Sequence, residues 1–555
     1  MGMTPVALGL WTTLAKNSVA SGRTAGPGDP PRFRFPADTA GDDFQQEAIM
    51  LTFRQVPRLA QVILVVLASL GGSLTLLKGG QKGASPSQEK AEYTAIVGVT
   101  VLDAVAALPR PDHTVLIRGD RIVAVEPAAE AKIPPRTQVI DGRGKYLIPG
   151  LWDMHAHVEA EGFLLLYVGY GVTGVRHMYS GSPLLPPVAR WGQEAAAGQR
   201  IGPRIIATTK VIDGLNGDKA TVAHSTIVAA TPEQGRAAVR QVRANGDAFV
   251  KVYPFLLPEV YDAILDEAQR GPQPLPVVGH VPHLVGAAAA SDKGQKSLEH
   301  AHGIFLACSQ DEAKLRKEIA GLIRAGALAD DTLNATSGWR FEVKALDSYD
   351  AKKAAALFRK FVANGTWVVP TLVCRRNWAS LHDENFLNDP RKAYLPLTVR
   401  TTWFHTVKAG RVRFPLFGNI ELSPQDIENM KRLYAGHLRL VRAMHEAGVK
   451  MMAGTDSPVP YCFPGSGLLD ELELLVQAGL SPREALAMAT IRPAEFLDRL
   501  ADFGSIARGK YADLVLLSAN PLTDIRNIRK IEGVFVAGRY YDRETVRILA
   551  TGRKP

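Results

Sequence analysis

The sequence has few cysteines, and the three that it has are isolated. Cys308, Cys374 and Cys462 lie far apart in the 555-residue chain, and no Cys-x-x-Cys pair occurs. This spacing suggests neither a thiolate zinc site nor a dense disulfide framework. The odd number leaves at least one thiol free unless chains are cross-linked. A metal site in this protein would therefore use His, Asp, Glu or Lys side chains.

A dense run of basic residues is also missing. The formal net charge is +10, but the Lys and Arg residues are spread along the chain and are not interleaved with aromatic residues. We therefore expect no nucleic-acid partner. The composition, with 46% hydrophobic and 22% charged residues, is ordinary for a globular protein with a sizeable core.

A long hydrophobic run is the third absence. The apolar run of residues 62–77 is shorter than the ~20 residues that a comfortable membrane-spanning helix needs. Arg54 and Arg58 precede it, and a basic start before a short apolar segment is typical of a secretory signal peptide or a single anchor. We therefore expect residues 50–78 to be one of these two, with membrane anchoring through 62–77. A buried core helix is the alternative.

The segments on either side of this run are polar. Residues 1–49 are rich in Gly and Pro and lack periodicity, so they are either disordered or an extension upstream of a true start at Met50. Residues 79–91 read as a linker. This layout predicts an exported protein, periplasmic or extracellular, or one anchored in a membrane and facing outward.

Short apolar alternations predict strands at both ends of the remaining chain. They occur in residues 92–149, for example in HTVLIRGDRIVAVEP, and again in residues 505–555, in GSIARGKYADLVLL and IEGVFVAGRYYD. Two β-rich ends of this kind can pair with each other. We expect them to form one small composite β-sandwich domain.

Strand and helix patterns alternate between these ends. Eight candidate strands begin with the one at Gly150, and helical segments such as TPEQGRAAVRQVRANG separate them. Eight strand-helix units predict an α/β fold, a TIM (β/α)8 barrel over residues 150–504. Residues 308–366 and 374–436 are long for loops, so we expect extra helices over the barrel mouth.

Several metal-ligand side chains fall at the predicted strand ends. His155 and His157 are two residues apart after a Pro-Gly turn, so both imidazoles point to the same side of a strand. Functional groups in such barrels sit where the strands end. The other candidates are Lys251, His280, His300 and Asp456. Each of these residues alone has an ordinary packing or capping explanation, but their joint occurrence at one face favours a metal site.

The same motifs resemble those of the amidohydrolase superfamily, specifically its imidazolonepropionase-like and prolidase-like branch. The matching segments are PGLWDMHAH, GVTGVR, GPRI, VKVY, VVGHV, SLEH, AGTDSP and GSIARGKYADLVLL. The resemblance covers about residues 92–540. It departs at His177, where relatives often have Asp after the Val-Arg pair.

The resemblance implies two divalent metal ions, zinc in the first instance. His155 and His157 would hold one ion, and His280 and His300 the other, with His302 as a substitute for His300. Asp456 would ligate and shuttle protons. Lys251 would bridge the ions as a carbamate formed with carbon dioxide, since an ammonium has no lone pair for a metal; an unmodified Lys251 with one metal is the alternative.

The implied function is hydrolysis of a C–N amide bond by metal-activated hydroxide attack. The partner would be a small molecule, a dipeptide or an N-acyl amino acid, and Tyr253 would steady the oxyanion or a substrate carboxylate. His224, Arg204 and His437 are further candidates for substrate binding. Ring opening of a cyclic amide and a non-catalytic, membrane-tethered binding module remain the alternatives. The sequence does not reveal the oligomeric state.

Overall fold

A computed structural model of the protein describes residues 91–104, 108–180, 186–214, 225–324, 338–408, 411–414, 418–421 and 423–551. The predicted N-terminal segment 1–49, the signal peptide or anchor at 50–78 and all but the last residue of the linker lie outside the described residues. His224 lies outside them as well. Within the described ranges, no helix combines the length and apolarity needed to cross a membrane.

The strands alternate with helices over most of the chain. The strands are β1 (Tyr93–Val101), β2 (Arg110–Arg118), β3 (Arg121–Pro127), β4 (Thr137–Asp141), β5 (Tyr146–Pro149), β6 (Leu151–Ala156), β7 (Val172–His177), β8 (Arg204–Ala207), β9 (Val211–Asp213), β10 (Thr226–Val228), β11 (Val250–Val252), β12 (Val277–Gly279), β13 (Ser297–Glu299), β14 (Trp367–Val369), β15 (Val407–Lys408), β16 (Arg411–Phe414), β17 (Gly418–Glu421), β18 (Lys450–Met451), β19 (Leu514–Leu517), β20 (Ile531–Val536) and β21 (Arg539–Asp542).

The α-helices are α1 (Gly162–Gly169), α2 (Val188–Ala196), α3 (Pro232–Ala244), α4 (Pro258–Gln269), α5 (Ala287–Asp292), α6 (Ile304–Cys308), α7 (Glu312–Arg324), α8 (Gly338–Asp347), α9 (Ala351–Asn364), α10 (Leu372–Ser380), α11 (Glu384–Leu387), α12 (Leu397–Thr406), α13 (Pro424–Glu446), α14 (Ser466–Gln477), α15 (Pro482–Met488), α16 (Ile491–Phe496) and α17 (Arg543–Thr551). Two short 3₁₀ helices cover Pro390–Tyr394 and Ile525–Arg529.

Strands from both ends of the described chain pair in one eight-stranded sheet. Its order is β21-β20-β19-β5-β1-β2-β3, and β4 pairs with β1. The junction is antiparallel, with Leu514 of β19 opposite Pro149 of β5. A common apolar core that includes Leu147 and Phe535 stabilises this junction. Stacking into a two-sheet sandwich stays a prediction, as do the domain boundaries drawn from the sequence.

The parallel strands lie in two sheets, ordered β6-β7-β8 and β10-β9-β11-β12-β13-β14-β18. Backbone hydrogen bonds connect the sheets at both ends: Met154 N donates to Ala453 O at 2.9 Å, and Ala248 N donates to Ala207 O at 2.9 Å. Each of the eight segments that the sequence predicted to be strands contains a parallel strand. The third segment is divided into two strands, β8 and β9. The result is a TIM-barrel-like α/β fold; full closure into an eight-stranded barrel stays a prediction.

The helices follow the signals that the sequence carries. The α3 helix begins after Thr231, whose hydroxyl accepts from Gln234 N, while the Gln234 side chain accepts from Thr231 N. This reciprocal capping satisfies donors that a helix start leaves free. Pro232 occupies the first turn, where its missing N–H costs nothing. The buried positions Val239 and Val242 lie on one face and belong to the same apolar core as Val250 and Val252 of β11.

The two long insertions are helical in their described parts. The first contains α7, α8 and α9. The second contains most of α10, then α11, α12, the small sheet β15-β16-β17 and the first half of α13. In α12 the indole N–H of Trp403 donates to Pro458 O at 2.9 Å, and its ring stacks on Tyr461. The second insertion therefore packs against the segment that follows Asp456, at the carboxyl edge of the parallel strands.

Candidate metal centre

The predicted ligands lie where the parallel strands end. His155 is in β6 and Lys251 is in β11, while His157, His280, His300 and Asp456 follow β6, β12, β13 and β18. Parallel strands bring their carboxyl ends to one edge, so positions distant in sequence become neighbours. Close backbone approach is needed there, because a Cβ on Gly454 would lie 2.8 Å from His155 N.

Both imidazoles of the His-x-His pair face one carboxylate oxygen. His155 Nε2 lies 3.3 Å and His157 Nε2 lies 3.1 Å from Asp456 Oδ1. The spacing of two residues places both rings on the same side, as strand alternation requires. Asp456 is largely shielded from solvent, with 14% of its side chain exposed; burial acts to raise the pKa of its carboxyl, but the neighbouring imidazoles outweigh it and hold that pKa well below the ordinary value. A carboxylate and two imidazoles of this kind are suitable metal ligands.

His300 completes a group that could hold a cation. One ligand atom each from His155, His300 and Asp456 lies within 4.8 Å of the others. The rings of His155 and His300 have centroids 4.4 Å apart. Among the described residues, these three are the group of potential metal ligands whose ligand atoms already lie this close together. The structure therefore contains a candidate metal site built from three separate strand ends.

Lys251 is fully buried beside this group. Its Nζ lies 3.5 Å from His155 Nε2. Burial lowers the pKa of its amine to about 7, although the carboxylates of Asp456 and Glu299 oppose that shift. The rings of Tyr179 and Tyr253 lie 4.6 and 5.2 Å from Nζ. The amine is therefore placed within the cluster, in an environment that favours its neutral form.

His280 supplies the test of whether a metal fits. Both of its ring nitrogens are buried and lack a hydrogen-bond partner. Its ring stacks on Tyr253 with centroids 4.3 Å apart and lies 5.1 Å from the His300 ring. Burial holds the pKa of His280 well below its usual value, so the ring is neutral and keeps a lone pair. Buried polar nitrogens are rarely left without partners, so these orphaned atoms fit a metal ligand.

A second layer of side chains orients the imidazoles. The Nδ1 atom of His155 lies 2.7 Å from Glu299 Oε2, and Arg176 Nη2 donates to both oxygens of Glu299 at 2.8 and 2.9 Å. His157 Nδ1 lies 2.7 Å from Tyr179 O, and His300 Nδ1 lies 2.8 Å from the Thr371 hydroxyl. Donation from Nδ1 leaves Nε2 with its lone pair directed at the cluster, which is the arrangement that metal-binding histidines use.

The Glu299 carboxylate is charged although it is buried. Burial acts to raise its pKa, but Arg176 and the hydrogen bond from His155 outweigh burial and lower the pKa to about 2. All three side chains are fully buried. A buried ion pair of this kind is costly to break, because either partner alone would be an uncompensated charge.

Backbone strain is concentrated at the same edge. His300, Thr371 and Asp456 have φ angles of 61°, 47° and 63°, in the left-handed region that L-residues rarely adopt. The neighbouring Asp153 helps to hold this backbone, because it accepts from Thr455 N at 3.1 Å and from the Thr455 hydroxyl at 2.7 Å. Strained backbone of this kind is typical of functional sites.

Tyr253, predicted as catalytic and as substrate-binding, lies at the edge of this cluster. Its hydroxyl is 3.1 Å from the hydroxyl of Tyr179. One of the two hydroxyl protons is used in the hydrogen bond between the phenols, so the other proton is free to be donated to a third group. The role of Tyr253 towards a bound substrate stays a prediction.

Two predicted substrate-binding residues have other partners. Arg204 pairs with Asp513 at 2.5 Å, and its guanidinium lies 3.6 Å from the ring centroid of Tyr511; both partners precede β19. His437 in α13 is fully buried; its Nε2 lies 3.7 Å from Glu342, and its ring packs on Phe305. Both side chains have contacts within the protein, and their roles in substrate binding stay predictions.

Sequence reasoning missed several residues of the site. Arg176 and Glu299 occur inside the quoted motifs GVTGVR and SLEH, but the motifs did not indicate that the two residues pair. Tyr179 lies in no recognised motif.

A row of three imidazoles, from His280, His302 and His283, lies beside the cluster. The ring centroids of His280 and His302 are 4.9 Å apart, and those of His302 and His283 are 5.2 Å apart. His302 therefore neighbours the cluster without joining its three-ligand group.

Comparisons with known proteins agree with this architecture. A Xaa-Pro dipeptidase with methionine in its active site has a TM-score of 0.57 at 20% identity, over 81% of this chain and all of the other. A putative prolidase from Bifidobacterium longum gives 0.57 at 24% identity, over 83% and 98%. The bottromycin amidohydrolase gives 0.62 at 24% identity, over 82% and 89%. These likenesses concern the fold.

Sequence relatives match over shorter stretches. The imidazolonepropionase of Shouchella clausii is 34% identical over 106 residues, which are 18% of this chain and 23% of that enzyme. The adenine deaminase of Rubrobacter xylanophilus is 43% identical over 51 residues, 9% of this chain and 8% of that enzyme. The chain therefore spans less than a quarter of the length of these curated relatives.

The model of the amidohydrolase family matches residues 146–540, which include β5 to β20, the metal-ligand cluster and both insertions. The chain belongs to the amidohydrolase family.

Proposed function

We propose that this protein is a metal-dependent hydrolase that cleaves a C–N amide bond. The observation that carries the proposal is the convergence of His155, His300 and Asp456, with Lys251 Nζ 3.5 Å from His155 Nε2. Four strand ends contribute to this cluster. Family membership supports the same reaction class.

Two divalent ions, with zinc as the first choice, would be held by this donor set. In our proposal His155, His157 and Asp456 hold one ion, and His280 and His300 hold the other. Lys251 would be a further ligand after carboxylation by carbon dioxide, for which its neutral amine is suited. Such ions, when bound, lower the pKa of water and polarise a carbonyl group.

The side chains of the protein would then move protons and bind the substrate. Asp456 takes a proton from the attacking water and delivers it to the leaving nitrogen, which is a general acid–base role. Tyr253 donates a hydrogen bond to the oxygen that becomes negative, and Tyr179 orients the Tyr253 hydroxyl. The helical insertions exclude bulk water by packing along the same edge, as Trp403 does beside Pro458.

The substrate we propose is a dipeptide or an N-acyl amino acid. The Xaa-Pro dipeptidase and the prolidase among the structural neighbours support this class. Opening of a cyclic amide is the second candidate, because the imidazolonepropionase match favours it. A non-catalytic binding module is disfavoured, since a scaffold has no need of orphaned imidazole nitrogens such as those of His280. We further propose export, based on the basic and apolar pattern of residues 50–78.

A substrate screen tests the proposal. The full-length protein, loaded with zinc, is offered a library of dipeptides, N-acyl amino acids and cyclic amides, and released amino groups are measured. Metal content is measured on the same sample by mass spectrometry. Hydrolysis of linear amides that is lost in Asp456→Asn supports the assignment, whereas a metal-free protein or one with no hydrolysis of any amide refutes it.

A further inference from the structure

Asp213 is the last residue of β9, at the carboxyl edge of the parallel strands. The strands β9 and β11 are neighbours, and their register pairs Val211 with Lys251. The bond from Tyr253 N to Ile212 O at 3.0 Å continues this pairing. Asp213 and Tyr253 therefore lie side by side on strands about 4.8 Å apart. Because residues two apart on a strand point the same way, both project to the side of Lys251, which faces the metal-ligand cluster.

One oxygen of the Asp213 carboxyl has a structural role. Oδ1 accepts from Gly214 N and from Phe255 N, both at 2.9 Å. These bonds hold the segment after β9 against the segment after β11, and the approach is close, because a Cβ on Gly214 would overlap Phe255 O. One acceptor oxygen is sufficient for both bonds. An asparagine would supply the same oxygen, so this structural role does not require a carboxylate.

The second oxygen of Asp213 is left over. The side chain is fully buried, and Oδ2 has no hydrogen-bond partner among the residues that the structure describes. Burial raises the pKa of this carboxyl to about 7, and no Lys or Arg of the described chain opposes the shift; the two N–H groups on Oδ1 offset it only in part. Buried polar atoms are rarely left without a partner. A positively charged donor is the partner that would favour the charged form of this carboxyl.

We propose that Asp213 binds the free ammonium group of the substrate, so that the site prefers dipeptides to N-acyl amino acids. The inference rests on the proposed function, in which Tyr253 donates a hydrogen bond to the oxygen of the scissile carbonyl group. In a dipeptide, one carbon atom separates this carbonyl group from the ammonium nitrogen. The ammonium group of a substrate held by Tyr253 is therefore within reach of the neighbouring side chain. An N-acyl amino acid has no ammonium group at this position and leaves Oδ2 without a partner.

The strength of this contact sets the size of the preference. A hydrogen bond between an ammonium group and a carboxylate is charge-assisted and stronger than a neutral one. We expect it to contribute a preference of about 10–100-fold for a ligand that carries the ammonium group. The preference is measured with pairs of compounds that differ in the ammonium group alone.

A binding measurement on the full-length, zinc-loaded protein tests the inference without turnover. The pair of ligands is (1-aminoethyl)phosphonate and ethylphosphonate, which have no amide bond to cleave, and their affinities are measured by calorimetric titration. We expect the amino compound to bind about 10–100-fold more tightly to the wild type. Asp213→Asn keeps the oxygen that accepts from the two N–H groups and should make the two affinities nearly equal. Asp213→Ser, which keeps a hydroxyl acceptor, is the second variant, and circular dichroism checks the fold of both.

Asp247→Asn is the matched control. Asp247 is also buried, accepts from Thr209 N at 3.0 Å and has a pKa raised by burial. It precedes β11, however, and therefore lies at the opposite edge of the parallel strands. This variant should keep the wild-type preference for the amino compound.

A kinetic measurement extends the test to substrates. The kcat/KM values of L-alanyl amino acids are compared with those of the N-propionyl derivatives of the same amino acids. We expect the wild type to prefer the alanyl series by about 10–100-fold, and the ratio to fall towards one in Asp213→Asn.

The two measurements separate this inference from the hydrolase function. Equal affinities for the two phosphonates in the wild type overturn the ammonium role whether or not a variant folds, and so does the absence of binding by both. A preference that Asp213→Asn retains also overturns it and leaves Oδ2 to a structural water. Hydrolysis of both series with equal kcat/KM refutes the ammonium role and keeps the hydrolase function. A phosphonate preference that depends on Asp213, together with no hydrolysis of any amide, counts against the hydrolase function alone.

Discussion

Replacement of Glu299 by Gln should destabilise the fold and weaken the metal site together. Glu299 is fully buried and receives four hydrogen bonds, two from Arg176, one from His155 and one from Ser297 at 2.5 Å. Glutamine keeps nearly the same shape but removes the charge. It therefore leaves the guanidinium of Arg176 buried without a counter-charge.

The expected size of the effect comes from the cost of an unpaired buried charge. Removal of one partner from a buried ion pair typically costs about 3–5 kcal/mol. The Nε atom of Arg176 keeps its hydrogen bond to Met154 O at 2.6 Å, which limits how far the guanidinium can move to find water. Loss of the carboxylate behind His155 should also weaken metal binding by about 10–100-fold.

Urea unfolding of metal-free protein and a zinc titration measure the two effects separately. Glu495→Gln is the matched control, because Glu495 pairs with Lys450 and Arg492 on the surface. An exposed pair of this kind contributes at most about 1 kcal/mol. A double-mutant cycle with Arg176→Met should give a coupling of about 2–3 kcal/mol, since the second change removes the charge left unpaired by the first.

The reasoning fails if Glu299→Gln costs no more than the surface control, or if the two changes are additive. The first result would mean that water reaches Arg176. The second would mean that the pair does not act as a unit. A loss of stability with unchanged zinc affinity would separate the two claims and reject the orienting role of the carboxylate towards His155.

Three further predictions concern single side chains. Asp456→Asn should lower turnover by at least about 10²-fold while the fold is retained, because Asn tolerates the left-handed backbone and cannot accept a proton; circular dichroism and steady-state kinetics check this. Tyr253→Phe should lower turnover with unchanged metal content, and unaltered turnover would remove its assigned role. Burial raises the pKa of Glu471 from 4.5 to about 8, so its contribution to stability is complete below pH 4.5 and is lost as the pH rises to 8. Glu471→Gln should remove this part of the decline in melting temperature between pH 4.5 and 8.

The candidate ligands were predictable because their signal is local. A His-x-His pair after a buried strand, and single His, Lys or Asp residues at other strand ends, can be located from period-two patterns and turns. Strand alternation alone does not decide between His300 and His302 as a metal ligand, because residues two apart point to the same side. The structure brings His300 into the three-ligand group, with Thr371 behind its ring.

The sequence by itself determined the alternation of strands and helices, the pairing tendency of its two β-rich ends and the candidate residues at the carboxyl edge. Each of these depends on periodicity over a few neighbouring residues. Only the tertiary structure decided the partners: Arg176 with Glu299, Arg204 with Asp513, and Cys374 with Asp456. Such partners come from separate elements, and their contact depends on how those elements pack, which no local pattern of residues records.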